Sequence, residues 1–480
     1  MLVPLLALFV PRIAVPFAIH VVDAQTGRGV PLVELRTISG LRFVTDSAGV
    51  VAFDEPALDG REAYVHVQSH GYELPADGFG YRGVVLRPRA GGEATIRLAR
   101  RNVAERLARL TGEGIYRDSV RLGLPVPLAL PLLNAAVAGQ DTAQAIVYRG
   151  RKLWFWGDTN RTSYPLGNFH TTGAVATIPR SGIEGGIDYA YFGDGKGFVR
   201  EILPMKEPGP VWISGLAVVG SSANERLYAG YARMVRLGVV AERGIARWND
   251  AAERFEVAQR FDAAREWRYL DGHLLRHEGY LLGNATPNVR VRADAASLLD
   301  PAAYEAFTPL DAEGHVVRRD GKPDYRWQRA LPPIDSAGEA RLVASGALRP
   351  DETCFLPVDP DGKPIEIAGG NVAWNVHRRR WIGLFGRKAG RASFLGEIDY
   401  AEADAPTGPF RRAVPIVEHD RYTFYNPVHH AFLDREGAIF FEGTYTAEFS
   451  GNEDRTPLYD YNQILYKLSL DDPRLDYARR

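Results

Sequence analysis

Hydrophobic and polar positions alternate with a period near two over much of the chain. Val33, Leu35 and Thr37 are interleaved with Glu34 and Arg36, the pattern of a strand with one face in a core and one in water. Turns rich in Asp and Gly, Asp23-Ala24-Gln25-Thr26-Gly27 and Asp46-Ser47-Ala48-Gly49, separate such runs between Phe17 and Arg100. About seven short strands at this spacing predict a β-sandwich over 17–100. Further on, an apolar strand, a polar turn and a second apolar strand recur five times, at 143–160, 214–231, 271–284, 370–386 and 426–445. One hairpin cannot bury both of its faces, whereas five stacked radially can. The repeat therefore predicts a five-bladed β-propeller over 121–475, with outer strands at 244–261 and 394–410. A large β-sandwich is the alternative use of the same hairpins.

Two stretches break the alternation. Asn102 as a cap, Glu105 three residues on, and Val103, Leu107 and Leu110 on one face predict a short helix ended by Gly112, within a linker at 101–120. The segment 293–353 is rich in Asp, Ala, Pro and Arg, fits no blade, and predicts an inserted loop with a helix near Ala337–Leu348.

Charge narrows the list of partners. The 480-residue chain has 58 Lys+Arg against 59 Asp+Glu, a net charge of −1, so no broad positive field exists to hold nucleic acid or an anionic membrane. The single cysteine, Cys354, excludes an internal disulfide framework. No run reaches the ~18 apolar residues of a membrane span. The apolar run Met1–Val10, ended by Pro11 and Arg12, has the length of a secretory signal core but lacks a basic leader and an obvious cleavage site. Residues 1–16 are read as a signal or N-terminal segment and the protein as exported, to the periplasm or beyond; nothing sets an oligomeric state.

In a propeller the innermost strands line a channel, so polar residues at their ends converge from distant positions. Asp158 closes the aromatic strand Leu153-Trp154-Phe155-Trp156-Gly157-Asp158, and Asp141 opens the same hairpin. Antiparallel pairing brings both to one end, where two carboxyls in different surroundings can divide acid and base roles. The structural alternative for each is a turn aspartate bonded to nearby backbone. Glu442 lies inside the apolar strand Ile439-Phe440-Phe441-Glu442-Gly443, a costly place for a charge unless it faces a wet cavity. His170, His273 and His429 recur near blade starts, while His430, adjacent to His429, must face the other way. With Arg290, Asn371, Asn375, Asn426, Tyr445 and Trp156 they form the candidate substrate-binding set, suited to sugar hydroxyls and carboxylates. Trp154, Trp212 and Trp374 are further stacking faces. No metal-ligand spacing, nucleophile elbow or phosphate loop is present, so neither a catalytic metal nor a cofactor is expected.

Two segments carry resemblances to known families. "VVDAQTGRGVPLVELRT…VTDSAGVVAF" resembles the carboxypeptidase regulatory-like, transthyretin-like sandwich domain, which implies an accessory module. "GQDTAQAIVYRGRKLWFWGDT" resembles the first-blade pattern of five-bladed propellers first catalogued as a domain of unknown function, some of whose members are endo-D-arabinanases. "EIDYAEADAPTGPF" and "FFEGTYT" resemble strands of the same group. That resemblance places Asp141 and Asp158 on the paired acidic positions and implies a glycoside hydrolase acting on a poly- or oligosaccharide. It also leaves open a structural calcium ion in the channel. The histidine-rich blade starts and the insertion depart from the pattern. They keep two alternatives: a polysaccharide lyase built on His273, His429, Tyr445 and Arg290, and a non-catalytic glycan-binding propeller.

Overall fold

The computed structural model describes residues 15–262, 267–391 and 393–479; the apolar run Met1–Val10 lies outside them. The fold is all-β: among the described residues the longest helix, Ser336–Ala344, has nine residues. No helix there is long and apolar enough to cross a membrane. The chain divides into two compact units, 1–99 with 116–126, and 100–115 with 127–480.

The first unit holds two four-stranded sheets. In one, Phe17–Asp23 lies between Val50–Phe53 and Glu93–Arg100, antiparallel to the former and parallel to the latter. In the other, Glu34–Thr37 pairs with Arg42–Val44 and Ala63–Gln68. The period of two sets the burial: Phe17, Ile19 and Val21 from one sheet and Leu35, Val65 and Val67 from the other enter one apolar cluster.

The second unit is a succession of antiparallel meander sheets. The first sheet runs Gln144–Tyr148, Arg151–Trp156, Thr172–Thr177, Asp188–Tyr191. The second runs Val211–Val219, Arg226–Arg236, Val239–Asn249, Arg254–Phe261. The fourth runs Ile367–Asn375, Arg380–Ala389, Phe394–Ala403, Ala413–Glu418. Each sheet touches the next. The Ile213 N–H donates to Thr171 Oγ1 at 3.0 Å and the Gly215 N–H to the Gly272 carbonyl at 2.9 Å. Leu275 and Leu282 of the third sheet share a core with Val372, Trp381 and Phe385 of the fourth, and Asn371 bonds the backbone of His429 in the fifth sheet. The fifth returns to the first, where the Thr142 N–H donates to Thr444 Oγ1 at 2.9 Å.

Two expectations are corrected. Residues 101–112 form no helix: Glu105–Arg109 is a strand that pairs with Asn462–Ser469 and completes the fifth sheet after Thr423–His429 and Ala438–Thr446. Leu107 and Leu110 are fully buried in the core shared with Trp154, so the apolar spacing that reads as a helix face is that of a strand buried on both sides. Asn102 caps nothing; its Oδ1 accepts the Glu418 N–H. The stretch 293–353 is also more than a loop. Glu305–Thr308 and Arg326–Gln328 extend the third sheet beyond Leu275–His277, Tyr280–Gly283 and Val289–Arg292.

Candidate functional site

Asp141 and Asp158 meet at the mouth of the first sheet's opening hairpin. The Asp158 N–H donates to Asp141 Oδ1 at 2.6 Å, and the Gly157 N–H donates to the Asp141 carbonyl at 3.0 Å. Gly157 is required here: a Cβ on it would lie 2.6 Å from Asp141 Oδ1. Both carboxyls line a cavity of about 780 Å³.

The other walls come from distant sequence. Tyr425 donates its hydroxyl to Asp141 Oδ2 at 2.8 Å, and Asn426 donates to Thr142 Oγ1 at 2.9 Å. Thr142 and Asn426 both adopt left-handed backbone, φ 50° and 49°, and the register of the fifth sheet slips between Tyr425 and Val428. That bulge turns Tyr425 and Asn426 towards the first sheet. The second sheet supplies Trp212, whose indole N–H donates to Asp158 Oδ1 at 2.7 Å. Asp271, also on the lining, accepts the Ser214 hydroxyl at 2.6 Å and the Tyr269 hydroxyl at 2.7 Å.

The two paired carboxyls differ electrostatically. Burial raises the affinity of Asp141 for a proton, but the Asp158 N–H and the hydroxyls of Tyr425, Tyr461 and Thr142 all favour its charged form. Asp158 has one such donor, Trp212; burial, then the charges of Asp141 and Glu448, push it up to about 7. Both carboxyls therefore hold a proton more tightly than a free aspartate, and two adjacent carboxyls cannot cheaply both ionise; they differ in that Asp141 has four donors to its charged form and Asp158 one. His273 lines the same cavity and is pushed down to about 3 by burial and by His430, which leaves it a neutral imidazole.

Of the twelve candidate residues, Asp141, Asp158, His273 and Asn426 line this cavity. The remaining eight do not. Glu442 is fully buried between sheets, accepting the Trp154 indole N–H at 2.8 Å and bonding His430 Nε2 at 2.7 Å. Both bonds go to Oε1, while Oε2 is buried with no hydrogen-bond partner. Trp156 is core, edge-on to Tyr189 at 4.8 Å. Tyr445 is core, stacked on Tyr422 at 4.1 Å. Arg290 pairs with Glu305 at 2.7 Å and lies over the rings of Tyr280 and Trp327. Asn375 is buried and bonded to Asp434 and the Arg378 N–H. His170 sits 3.5 Å from Glu201. Asn371 and His429 line a second, smaller cavity of about 370 Å³, where His429 Nε2 bonds Asp434 at 2.8 Å; His430 lines it too. Among the described residues no group of three or more His, Cys, Asp or Glu is placed to hold a metal ion, so the channel calcium has no such ligand set there. Tyr425, Tyr461, Asp271 and Glu448 were not among the candidates. Their signal, polar or aromatic residues flanking the blade hairpins in "YTFYNP", "YDYNQ", "YLDGH" and "TYTAEF", is visible only once the hairpins are assembled.

No protein-family profile matches the chain, and no curated protein matches its sequence. Solved structures match at low identity. A Bacteroides ovatus protein assigned as a hydrolase is 12% identical, covers 71% of this chain and 88% of its own, and has a TM-score of 0.43. A GH43_1 enzyme of Xanthomonas citri is 11% identical over 69% of this chain and 87% of its own, with a TM-score of 0.33. An N-acetylgalactosamine deacetylase of F. plautii, in complex with blood group B trisaccharide, is 10% identical over 78% of this chain and 98% of its own, with a TM-score of 0.38.

Proposed function

We propose that the second unit is a five-bladed β-propeller glycoside hydrolase, with Asp158 as general acid and Asp141 as general base or nucleophile. The observation that carries this reading is the asymmetric carboxyl pair at the wall of one open cavity. A pair in which Asp141 has four donors to its charged form and Asp158 only one can divide the acid and carboxylate roles that glycosidic cleavage needs. Trp212, Tyr269 and Tyr425 on the lining offer rings to sugar faces, and neutral His273 and Asn426 offer hydroxyl partners. Sheet-to-sheet contacts running from the first to the fifth and back to the first support the ring. The two sheets of the first unit fit an accessory carboxypeptidase regulatory-like sandwich, to which no chemistry is assigned. The lyase alternative keeps only His273 on this cavity: Arg290 is committed to Glu305, Tyr445 is core, and His429 lines the other cavity. The binding-only alternative is separated by experiment. A glycan panel read by reducing ends and by ultraviolet absorbance tests the reading: new reducing ends without absorbance that vanish in Asp158→Asn support it. Cleavage retained in that variant overturns it.

A further inference from the structure

We propose that the large cavity selects its sugar by charge, accepting glycans that carry a protonated amine and turning away uronates and sulfated sugars. The inference rests on the glycan-cleaving reading and names its substrate class. Four carboxyl groups from three sheets line the cavity: Asp141 and Asp158 beside the first, Asp271 before the third, and Glu448 after the second strand of the fifth. Among the described residues no Lys or Arg lines it. The nearby cations have other partners. Arg243 lies over the Tyr269 ring at 4.4 Å, and Arg455 is 3.7 Å from Asp460. His273, the one histidine on the lining, is neutral.

The chemistry of these groups is one-sided. Asp271 presents an oxygen pair that accepts from the Ser214 and Tyr269 hydroxyls and the Gly272 N–H, an acceptor site with no counter-charge. Glu448 is exposed at the rim beside Phe449. The Asp141–Asp158 pair carries less than its two full charges near neutral pH, and Asp271 and Glu448 complete the acidic lining, so a sugar carboxylate or sulfate entering this space meets like charge and no donor cation. Each such pair is repulsive even in water and more so in a partly dry cavity. An ammonium group reverses the sign, brings three donors, and finds aromatic faces in Trp212 and Tyr425.

Three monosaccharides of one ring geometry test this: glucosamine, glucose and glucuronate, titrated into the full chain and read by calorimetry and by the shift of the thermal melt. Glucosamine should bind at least about 10-fold more tightly than glucuronate at low ionic strength, with glucose between, and the spread should shrink in high salt. Glu448→Gln should cut the glucosamine preference about 3-fold and leave glucose unchanged, since the exposed side chain contributes a partly screened charge. Glu448→Lys should bring glucuronate close to glucosamine. Equal affinities for the two charged sugars, no response to the Glu448 variants, or no binding of glucosamine overturns the charge selection. Cleavage of a neutral glycan alongside such a result would leave the hydrolase reading standing. A charge ranking that holds while no glycan in the panel is cut would instead sink the hydrolase.

Discussion

Two carboxylate clusters in the second unit are built on opposite principles. In the fourth sheet, Arg387 is ringed by Asp399 at 2.8 Å, Asp359 at 3.1 Å and Glu397 at 3.4 Å, all almost fully buried. In the cavity, no guanidinium among the described residues lines the site of Asp141, Asp158, Asp271 and Glu448, and Arg455 acts on Glu448 only through its charge. The fourth-sheet cluster is closed by a planar cation with five donors that fits carboxylates two at a time. The cavity cluster is held by neutral donors alone: backbone N–H groups, hydroxyls and an indole. Compensated carboxylates are spent on structure. The uncompensated Asp141, Asp158 and Glu448 have a raised proton affinity and face a cavity, which is the state that chemistry on a ligand requires.

The comparison breaks most visibly in activity. Asp158→Asn should lower glycan cleavage by about 10²–10⁴-fold, the span typical of a lost general acid. The amide keeps the size of the side chain and can still accept the Trp212 N–H, so stability measured by urea unfolding should move by less than about 1 kcal/mol. A variant with wild-type turnover would make the cavity cluster as structural as its counterpart.

Arg387→Met is the reciprocal test. It leaves three carboxyls buried without their cation, and breaking a buried ion pair from one side costs about 3–5 kcal/mol. Unfolding midpoints should fall accordingly, and activity per folded molecule should hold. A melt unchanged from wild type would refute the structural role.

pH separates the clusters next. Because Asp158 titrates near 7, cleavage should fall as pH rises through that value, and the falling limb should vanish from the residual activity of Asp158→Asn. Stability is linked to the same proton. An unfolded aspartate titrates near about 3.9, so between there and about 7 the folded chain holds a proton that the unfolded chain has lost. This contribution is complete below about pH 4 and disappears as pH rises through about 7. Unfolding free energies of wild type and Asp158→Asn across that window should diverge in this direction; parallel curves would contradict it.

Which parts of this contrast were legible in the sequence follows from the range of the interactions. The five hairpins are local, and alternation over a few residues places each of them. Asp141 and Asp158 are legible for the same reason, as two ends of one hairpin. Glu442 and Trp156 misled because alternation tells which residues share a face, not whether that face meets a cavity or the next sheet. Glu105–Arg109 was unreadable as a strand because its partner lies some 350 residues later, at Ile464–Lys467. Tyr425 reaches Asp141 through a register slip that no local pattern encodes. The Arg387 cluster was missed altogether: Asp359, Glu397 and Asp399 approach the guanidinium only when the fourth sheet folds.

The smallest expected effect probes the donors that replace a cation. Tyr425→Phe removes one hydroxyl from Asp141 Oδ2 and leaves the ring in place. A hydrogen bond to a buried carboxylate is worth about 1.5–3 kcal/mol gross, but the Asp158 N–H remains and water can fill the gap, so a shift of about one pH unit is expected. Its sign is upward, because the lost donor favoured the charged form. The acidic limb of the pH–rate profile, which reports ionisation of Asp141, should therefore move up by about one unit, with the limb assigned to Asp158 nearly fixed. Movement of the alkaline limb alone would mean that the two carboxyls have exchanged roles, with Asp141 holding the proton and Asp158 the charge.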